Sequence, residues 1–186
     1  MVKHRTLDSD KVLAAAHAIV MTSGLAALNF QTLAQRLDIR SQSLYHYFPN
    51  IEAIIETLGA QWINELHTCL TSDLAGLHGQ AAFSRFAELV YDYFTDTGKM
   101  VELLNQVPHC APDSPFTKAL QNLVGLLKQQ VAEVKLRTMD EDAFVQGFIS
   151  SVMGFIMLAL MKLLPSTQRH NAYQQVIGVY LAEIVE

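Results

Sequence analysis

The apolar residues of this chain recur with a period of about 3.6 residues along most of its length, which is the signature of amphipathic helices. The first such pattern runs from Asp8 to Ser23. Asp8 or Ser9 can cap this helix, and Gly24 is suited to end it. No run of alternating apolar and polar residues competes with the helical period, so the pattern predicts an all-α fold.

Two short helices are predicted next, from about Phe30 to Leu37 and from about Ser41 to Tyr47. Asn29 can cap the first of them, and Pro49 ends the second. Three helices within fifty residues, the last two joined by a tight turn, are the arrangement of a helix-turn-helix domain. We therefore predict an N-terminal three-helix DNA-binding bundle over residues 1–50.

Residues 51–186 are predicted to form a larger helical domain, which gives about nine helices in all. The expected helices are a long one from Asn50, one marked by Phe83 to Phe94, a short one over Lys99–Gln106, and three at Pro115–Leu136, Asp140–Leu164 and His170–Val185.

The third helix has polar side chains on its outer face. Leu33, Ala34 and Leu37 are expected to face inward on helix two, and Leu44 with Phe48 to fix helix three to the core. The side chains then left outward are those of Arg40, Ser41, Gln42, Ser43, Tyr45, His46 and Tyr47. They suit contacts to base edges in a major groove. The alternative is an ordinary helical bundle with half-buried tyrosines.

The net charge of −5 is unusual for a nucleic-acid binder, but the charge is unevenly distributed. Residues 1–50 carry +2 and residues 51–186 carry −7. This difference between the two parts favours two separate tasks on one chain. Two cysteines and a polar start without a secretion signal favour the reducing cytoplasm.

The segment TLAQRLDIRSQSLYHYFPN resembles the signature of the tetracycline-repressor (TetR) family of bacterial transcription regulators. The matching positions are Leu33-Ala34, Leu37, Ile39, Leu44-Tyr45 and Tyr47-Phe48. The specific resemblance covers about residues 8–66, and beyond it only the order of helices agrees.

The resemblance implies a role for each outward residue. Tyr45 and Tyr47 occupy phosphate-contacting positions, as do Asn29 and Gln31 at the start of helix two. Arg40, Ser41, Gln42 and Ser43 face base edges, and His46 suits either task. Lys3, His4 and Arg5 could form an arm along the DNA backbone.

Two positions depart from the family pattern. Asp38 stands where the turn usually has glycine, and aspartate tolerates left-handed backbone geometry. Ile51 stands where the next helix usually begins with a phosphate-binding lysine. We therefore expect weaker and less salt-sensitive DNA binding than is typical of the family.

The segment at residues 143–161 has no charged side chain. It is long enough to span a membrane, but Gln146, two serines and two glycines favour a buried helix instead. The small residues share one face, and the last helix has an apolar stripe, so two copies of these helices could pair around a two-fold axis. The residues predicted at this dimer interface are Gly147, Ser151, Gly154, Val176, Ile177 and Tyr180.

Methionines beside aromatic residues predict a pocket for a small apolar or amphipathic ligand. Its expected lining residues are Trp62, Phe86, Tyr91, Phe94, Met100, His109, Gln146, Phe148 and Met153. For each of them, a place in the core is the alternative. No zinc-binding spacing, phosphate loop or nucleophile motif occurs, so neither a metal, a cofactor nor catalysis is expected.

The sequence is thus interpreted as a cytoplasmic, homodimeric, ligand-responsive repressor that binds a palindromic double-stranded DNA operator. The alternative is an all-helical carrier for an apolar molecule without a DNA function. The polar outer face of helix three favours the regulator, because a carrier does not need it.

Overall fold

The computed structural model of this protein describes residues 7–96, 110–165 and 169–185. Over these ranges the chain forms eight α-helices, one short 3₁₀ turn at Leu25–Ala27 and two two-residue strands, and the predicted all-α fold is confirmed. The helices are α1 (Ser9–Ser23), α2 (Phe30–Leu37), α3 (Ser41–Leu44), α4 (Ile51–Asp73), α5 (Gly79–Asp96), α6 (Pro115–Ala132), α7 (Glu141–Leu160) and α8 (Arg169–Leu181). The short helix predicted at Lys99–Gln106 lies outside the described residues.

The chain divides into two compact units. The described part of the first unit comprises residues 7–62 and 110–118, and that of the second comprises residues 63–96, 119–165 and 169–185. The division falls within α4 and within α6, whereas the predicted boundary lay at residue 50.

The first unit is built around a small apolar core from its first three helices. Leu33 and Ala34 of α2 are buried, as are Leu44 of α3 and Phe48 just after it. These residues occupy the inward positions that the helical period predicts. The burial of Leu44 and Phe48 attaches α3 to the bundle although the helix has only four residues.

The second unit has an aromatic core formed by α5, α7 and α8. Phe83 of α5 meets Phe144 and Phe148 of α7 edge-on, with ring centroids 5.3 and 5.8 Å apart. Tyr173 of α8 is buried and donates its hydroxyl hydrogen to the carbonyl oxygen of Ala87 at 2.7 Å. Burial raises the pKa of the Tyr173 phenol, so this hydroxyl keeps its proton and remains a donor.

Two short strands close the second unit, and they were not predicted. β1 (Lys135–Leu136) pairs antiparallel with β2 (Ile184–Val185). Two residues per strand are too few to produce an alternating pattern, so these strands cannot be predicted from the period of apolar residues. The strands also shorten the predicted helices, since α6 ends at Ala132 and α8 ends at Leu181.

Helix α7 is long and apolar enough to cross a membrane by length and composition alone. Its residues Phe144, Phe148 and Ile156 are fully buried against the chain itself. This helix therefore contributes side chains to the core of the second unit, whereas others on it, such as Leu158, are exposed.

Candidate nucleic-acid interface

The turn between α2 and α3 is held by backbone hydrogen bonds. Asp38 lies in the left-handed region at φ 55° and ψ 49°. Its N–H donates to the carbonyl oxygen of Gln35 at 3.3 Å, and the N–H of Ile39 donates to that of Ala34 at 3.0 Å. These two bonds are the Schellman pattern that ends a helix. The turn therefore forms with aspartate at the position where the family usually has glycine.

Helix α2 begins with a complete capping box. The side-chain oxygen of Asn29 accepts from the N–H groups of Gln31 and Thr32, each at 3.0 Å, and the Thr32 hydroxyl accepts from the N–H of Asn29 at 3.2 Å. Asn29 and Gln31 are both exposed. Capping orders the start of α2, where positive helix-dipole charge favours an anion.

Helix α3 is shorter than predicted. It ends at Leu44, and Tyr45, His46 and Tyr47 continue as turns. The N–H of Tyr47 donates to the carbonyl oxygen of Leu44 at 2.9 Å, which is a three-residue step instead of a helical four-residue step.

The outer face of α3 is polar and accessible. Arg40, Gln42 and His46 are exposed, and none of their side chains has a hydrogen bond or ion pair with another described residue. Ser41 and Ser43 are half-buried. The donors and acceptors of Arg40 and Gln42 are therefore available for base edges, for which arginine and glutamine can each supply two hydrogen bonds.

The two predicted phosphate-contacting tyrosines differ from one another. Tyr45 is 62% exposed, and its ring meets that of Phe30 edge-on with centroids 4.8 Å apart. Tyr47 is half-buried, and its hydroxyl donates to the carbonyl oxygen of Leu7 at 3.0 Å. Tyr45 is thus supported and accessible, whereas Tyr47 is already engaged within the chain.

The charge of this surface is small. Arg36 and Arg40 are exposed, while Lys11 is paired with Asp8, the N-cap of α1, at 2.8 Å. The hydrogen bonds from Lys11 lower the pKa of the Asp8 carboxyl, so the pair stays ionised near neutral pH. Ile51 at the start of α4 adds no charge.

A three-helix bundle with a tight turn before a short, polar third helix defines a helix-turn-helix DNA-binding protein, of the class of transcription regulators. Residues 12–58 match the sequence model of the bacterial regulatory proteins of the tetR family. The resemblance to this family that the signature predicts is thereby confirmed for the N-terminal residues. The family consists of DNA-binding regulators and not of enzymes.

Solved structures share the fold over nearly the whole chain. A protein of unknown function from Rhodococcus sp. RHA1 is 14% identical, with a TM-score of 0.82 over 100% of both chains. BioQ, solved with its double-stranded DNA operator, is 21% identical, with a TM-score of 0.66 over 95% of this chain and 99% of that one. The ketosteroid transcriptional regulator KstR2 of Mycobacterium tuberculosis is 16% identical, with a TM-score of 0.63 over 100% of this chain and 97% of that one. No curated protein matches the sequence itself.

The described residues among those predicted to line a ligand pocket are distributed over both compact units. Trp62 lies in the first unit, where its ring meets His17 with centroids 5.5 Å apart. Phe86, Tyr91, Phe94 and Phe148 belong to the buried core of the second unit, Met153 is half-buried, and Gln146 is exposed. Met100 and His109 lie outside the described residues.

Two of the surface cavities lie among the described residues of the second unit, and neither of these two is lined by a residue predicted to bind a ligand. One of about 150 Å³ lies between α5 and α8, and one of about 130 Å³ lies between α6 and α7. The described residues also contain no group of three or more His, Cys, Asp or Glu side chains arranged to hold a metal ion.

Three residues of the predicted dimer interface contact each other within one chain. A Cβ atom added at Gly147 would lie 2.9 Å from Oη of Tyr180, and that hydroxyl is 2.9 Å from Oγ of Ser151. Small residues on α7 thus allow α8 of the same chain to approach. These contacts within one chain are not predictable from the sequence, because helical spacing gives the face of a residue and not its partner.

The remaining interface residues divide by exposure. Ile177 is 3% exposed within the single chain. Gly154 and Val176 are exposed, and apart from the chain neighbours of Gly154 and the backbone of α7, no described atom lies within 4 Å of a Cβ built at Gly154. Further apolar side chains on α7 and α8, or just after α7, are exposed but were not predicted: Leu158, Met161, Leu163 and Val179.

Proposed function

We propose that this regulator is a cytoplasmic repressor that binds a palindromic operator as a homodimer and leaves it when a small apolar or amphipathic ligand binds. The observation that carries the DNA part is the outer face of α3, where Arg40, Gln42 and His46 are exposed and unengaged among the described residues. A carrier of apolar molecules would have no use for this face.

A dimer is supported by an exposed apolar surface that we call the α7–α8 face, consisting of Gly154, Leu158, Met161, Val176 and Val179. Gly154, Leu158 and Met161 are spaced four and three residues apart, which puts them on one side of the helix, and an exposed apolar side of this kind typically marks an interface. Two chains joined there by a two-fold axis would present two α3 helices, which must lie about 34 Å apart to enter successive major grooves.

Ligand control is proposed to act through the aromatic core of the second unit. Tyr91 stacks on Tyr173 with centroids 4.6 Å apart, and Phe148 packs among Phe83, Phe86 and Phe144. A ligand that entered this cluster would have to separate its rings, and it would then favour a different arrangement of the helices. Such a ligand reduces operator occupancy only if it binds the second arrangement more tightly.

The test measures fluorescence anisotropy of a labelled duplex from upstream of the gene, between 50 and 300 mM salt. We expect sequence-selective binding whose affinity falls with salt. Gln42→Ala should relax the preference at one or two base pairs, by about 1–3 kcal/mol at each. Gln129→Ala is the matched control, because this glutamine is exposed on α6 in the second unit.

Absence of selective binding by the intact protein would support the carrier alternative. Equal effects of the two glutamine substitutions would show that α3 does not contact the bases.

A further inference from the structure

We propose that the cavity of about 150 Å³ between α5 and α8 binds a small primary amine in its ammonium form, and that Glu88 recognises the positive charge. The residues that line this cavity all belong to the second unit. The inference goes beyond the proposed function, because a ligand occupies this surface cavity without separating the rings of the aromatic core.

The α5 side of the cavity supplies a carboxylate that has no hydrogen bond. Glu88 lines the cavity, and 37% of its side chain is exposed. Its ion-pair partner among the described residues is Arg85, whose Nη1 lies 3.8 Å from Oε2 of Glu88, which is beyond hydrogen-bond distance. The Arg85 guanidinium donates to Asp73 instead. Both carboxylate oxygens of Glu88 therefore remain available as acceptors for a ligand.

The α8 side of the cavity adds a second acceptor. The amide nitrogen Nε2 of Gln174 lies 3.0 Å from Nε2 of His170. An amide nitrogen can only donate, so it donates to the imidazole, and the amide oxygen of Gln174 has no bond to a described residue. The hydroxyl of Ser84 on α5 can also accept. None of the described side chains that line the cavity is basic, so its polar groups suit a ligand that donates hydrogen bonds.

Negative charge is in excess around this cavity. Asp73, Glu88 and Asp92 all raise the pKa of the Arg85 guanidinium, and the hydrogen bond from Asp73 has the largest effect. Burial raises the pKa of the Tyr173 phenol in the cavity wall, and the carboxylates of Asp92 and Glu88 contribute to the same rise. One guanidinium thus interacts with three carboxylates, and the resulting field favours a cation over an anion.

The remaining walls of the cavity are apolar. Ala87 of α5 and Ile177 of α8 are buried, and Leu181 of α8 is half-buried. A calcium ion takes about six to eight oxygen ligands, several of them carboxylates, whereas this cavity offers one carboxylate. A cavity of about 150 Å³ holds an apolar group of about the size of benzene. The ligand that fits is therefore a short alkylammonium or arylammonium ion, with its charge at Glu88 and its apolar part against Ala87 and Ile177.

Three probes of similar size and different charge test the proposal: benzylamine, benzyl alcohol and benzoate. Each is titrated at pH 7 into the full chain, and the NMR shifts of the methyl groups of Ala87, Ile177 and Leu181 report on the cavity. We expect benzylamine to bind about three to ten times more tightly than benzyl alcohol, because a hydrogen bond to a charged group is strong but this carboxylate is partly screened by water. Benzoate should bind most weakly of the three.

Variants separate the charge of the cavity from its space. Glu88→Gln keeps the shape of the side chain and removes its charge, so it should abolish the preference for benzylamine and leave the affinity for benzyl alcohol unchanged. Glu65→Gln is the matched control, because this glutamate is exposed on α4 in the same unit. Ser84→Leu places a larger side chain at the cavity and should weaken the binding of both probes. Thermal unfolding without a probe confirms that each variant is folded.

Several results would overturn the proposal. Equal affinities of the wild type for benzylamine and benzyl alcohol, or a preference that survives Glu88→Gln, would show that Glu88 does not recognise the charge. Saturable shifts that spare the three methyl groups, or no saturable shifts with benzylamine, would show that the cavity is not an amine site. None of these measurements involves DNA, so the proposed regulator function would stand in each case.

Discussion

Two glycines on one helix provide a sharp test of the packing between α7 and α8. Gly147 faces Tyr180 so closely that an added Cβ would lie 2.9 Å from Oη and 3.0 Å from Cε1. Gly154 lies about two turns further along α7 and is exposed. Apart from its chain neighbours and the backbone of α7, no described atom lies within 4 Å of a Cβ built at Gly154. The same substitution, Gly→Ala, should therefore change stability in opposite directions at the two positions.

The magnitude follows from two contributions. Replacing glycine by alanine inside a helix stabilises it by about 0.5–1 kcal/mol. At Gly147 the new methyl group must displace Tyr180, whose hydroxyl is bonded to Ser151 and whose ring meets Phe144 and Phe148 edge-on at 5.8 Å. Overpacking of this kind costs about 1–3 kcal/mol.

The assay is urea unfolding of both variants and the wild type, at several protein concentrations to separate folding from association. Gly154→Ala should raise the free energy of unfolding by about 0.5–1 kcal/mol. The free energy of unfolding of Gly147→Ala should be about 1–3 kcal/mol lower than that of Gly154→Ala. The helix-propensity gain is common to both variants, so their difference isolates the packing contribution. Equal stabilisation by both would refute the contact between Gly147 and Tyr180.

The same two glycine substitutions also test the proposed dimer. If Gly154 lies in a dimer interface at the proposed α7–α8 face, Gly154→Ala should weaken self-association, as measured by sedimentation equilibrium. Gly147→Ala should instead change mainly the free energy of unfolding. An unchanged dimer dissociation constant for Gly154→Ala would show that Gly154 does not lie in the dimer interface.

Further outcomes follow from other single positions. Lys162 lies just after α7 at φ 57°, within a second Schellman turn. Glycine adopts this left-handed geometry more easily than lysine, so Lys162→Gly should raise the free energy of unfolding by about 1 kcal/mol, as measured by thermal unfolding. A lower free energy of unfolding would refute the left-handed geometry. Phe116 is fully buried against Gly59, so Phe116→Ala should cost about 3–5 kcal/mol in urea unfolding, whereas exposed Lys118→Ala should have little effect. The Glu183 carboxylate accepts from the Thr138 hydroxyl and from the N–H groups of Thr138 and Met139, and these bonds lower its pKa. A lowered folded-state pKa means that the ionised carboxylate stabilises the fold above its unfolded pKa, and that this contribution disappears as the pH falls through the folded value. Glu183→Gln should therefore flatten the acid side of the stability profile, and an unchanged profile would show that these bonds do not form in solution.

The local pattern was enough to predict the DNA-binding domain. Its helix starts depend on neighbouring residues, as the caps at Asp8 and Asn29 show, and its turn depends on the backbone tolerance of Asp38. Leu33, Leu44 and Phe48 are buried where the helical period places them. These properties are short-range, so a sequence reveals them directly.

Partners across the fold could not be predicted in this way. Helical spacing placed Gly147, Ser151 and Tyr180 on suitable faces, yet only the packing of α7 against α8 shows that they meet within one chain. In the same way, Tyr47 has a phosphate-contacting position by its place in the motif, but its hydroxyl is used by Leu7, 40 residues earlier. Phe86, Tyr91 and Phe148 are buried as their apolarity predicts, but apolarity specifies burial and not whether a neighbouring space stays empty for a ligand. Composition and periodicity determine which side chains a helix turns inward, whereas the three-dimensional arrangement of the helices decides what each of them contacts.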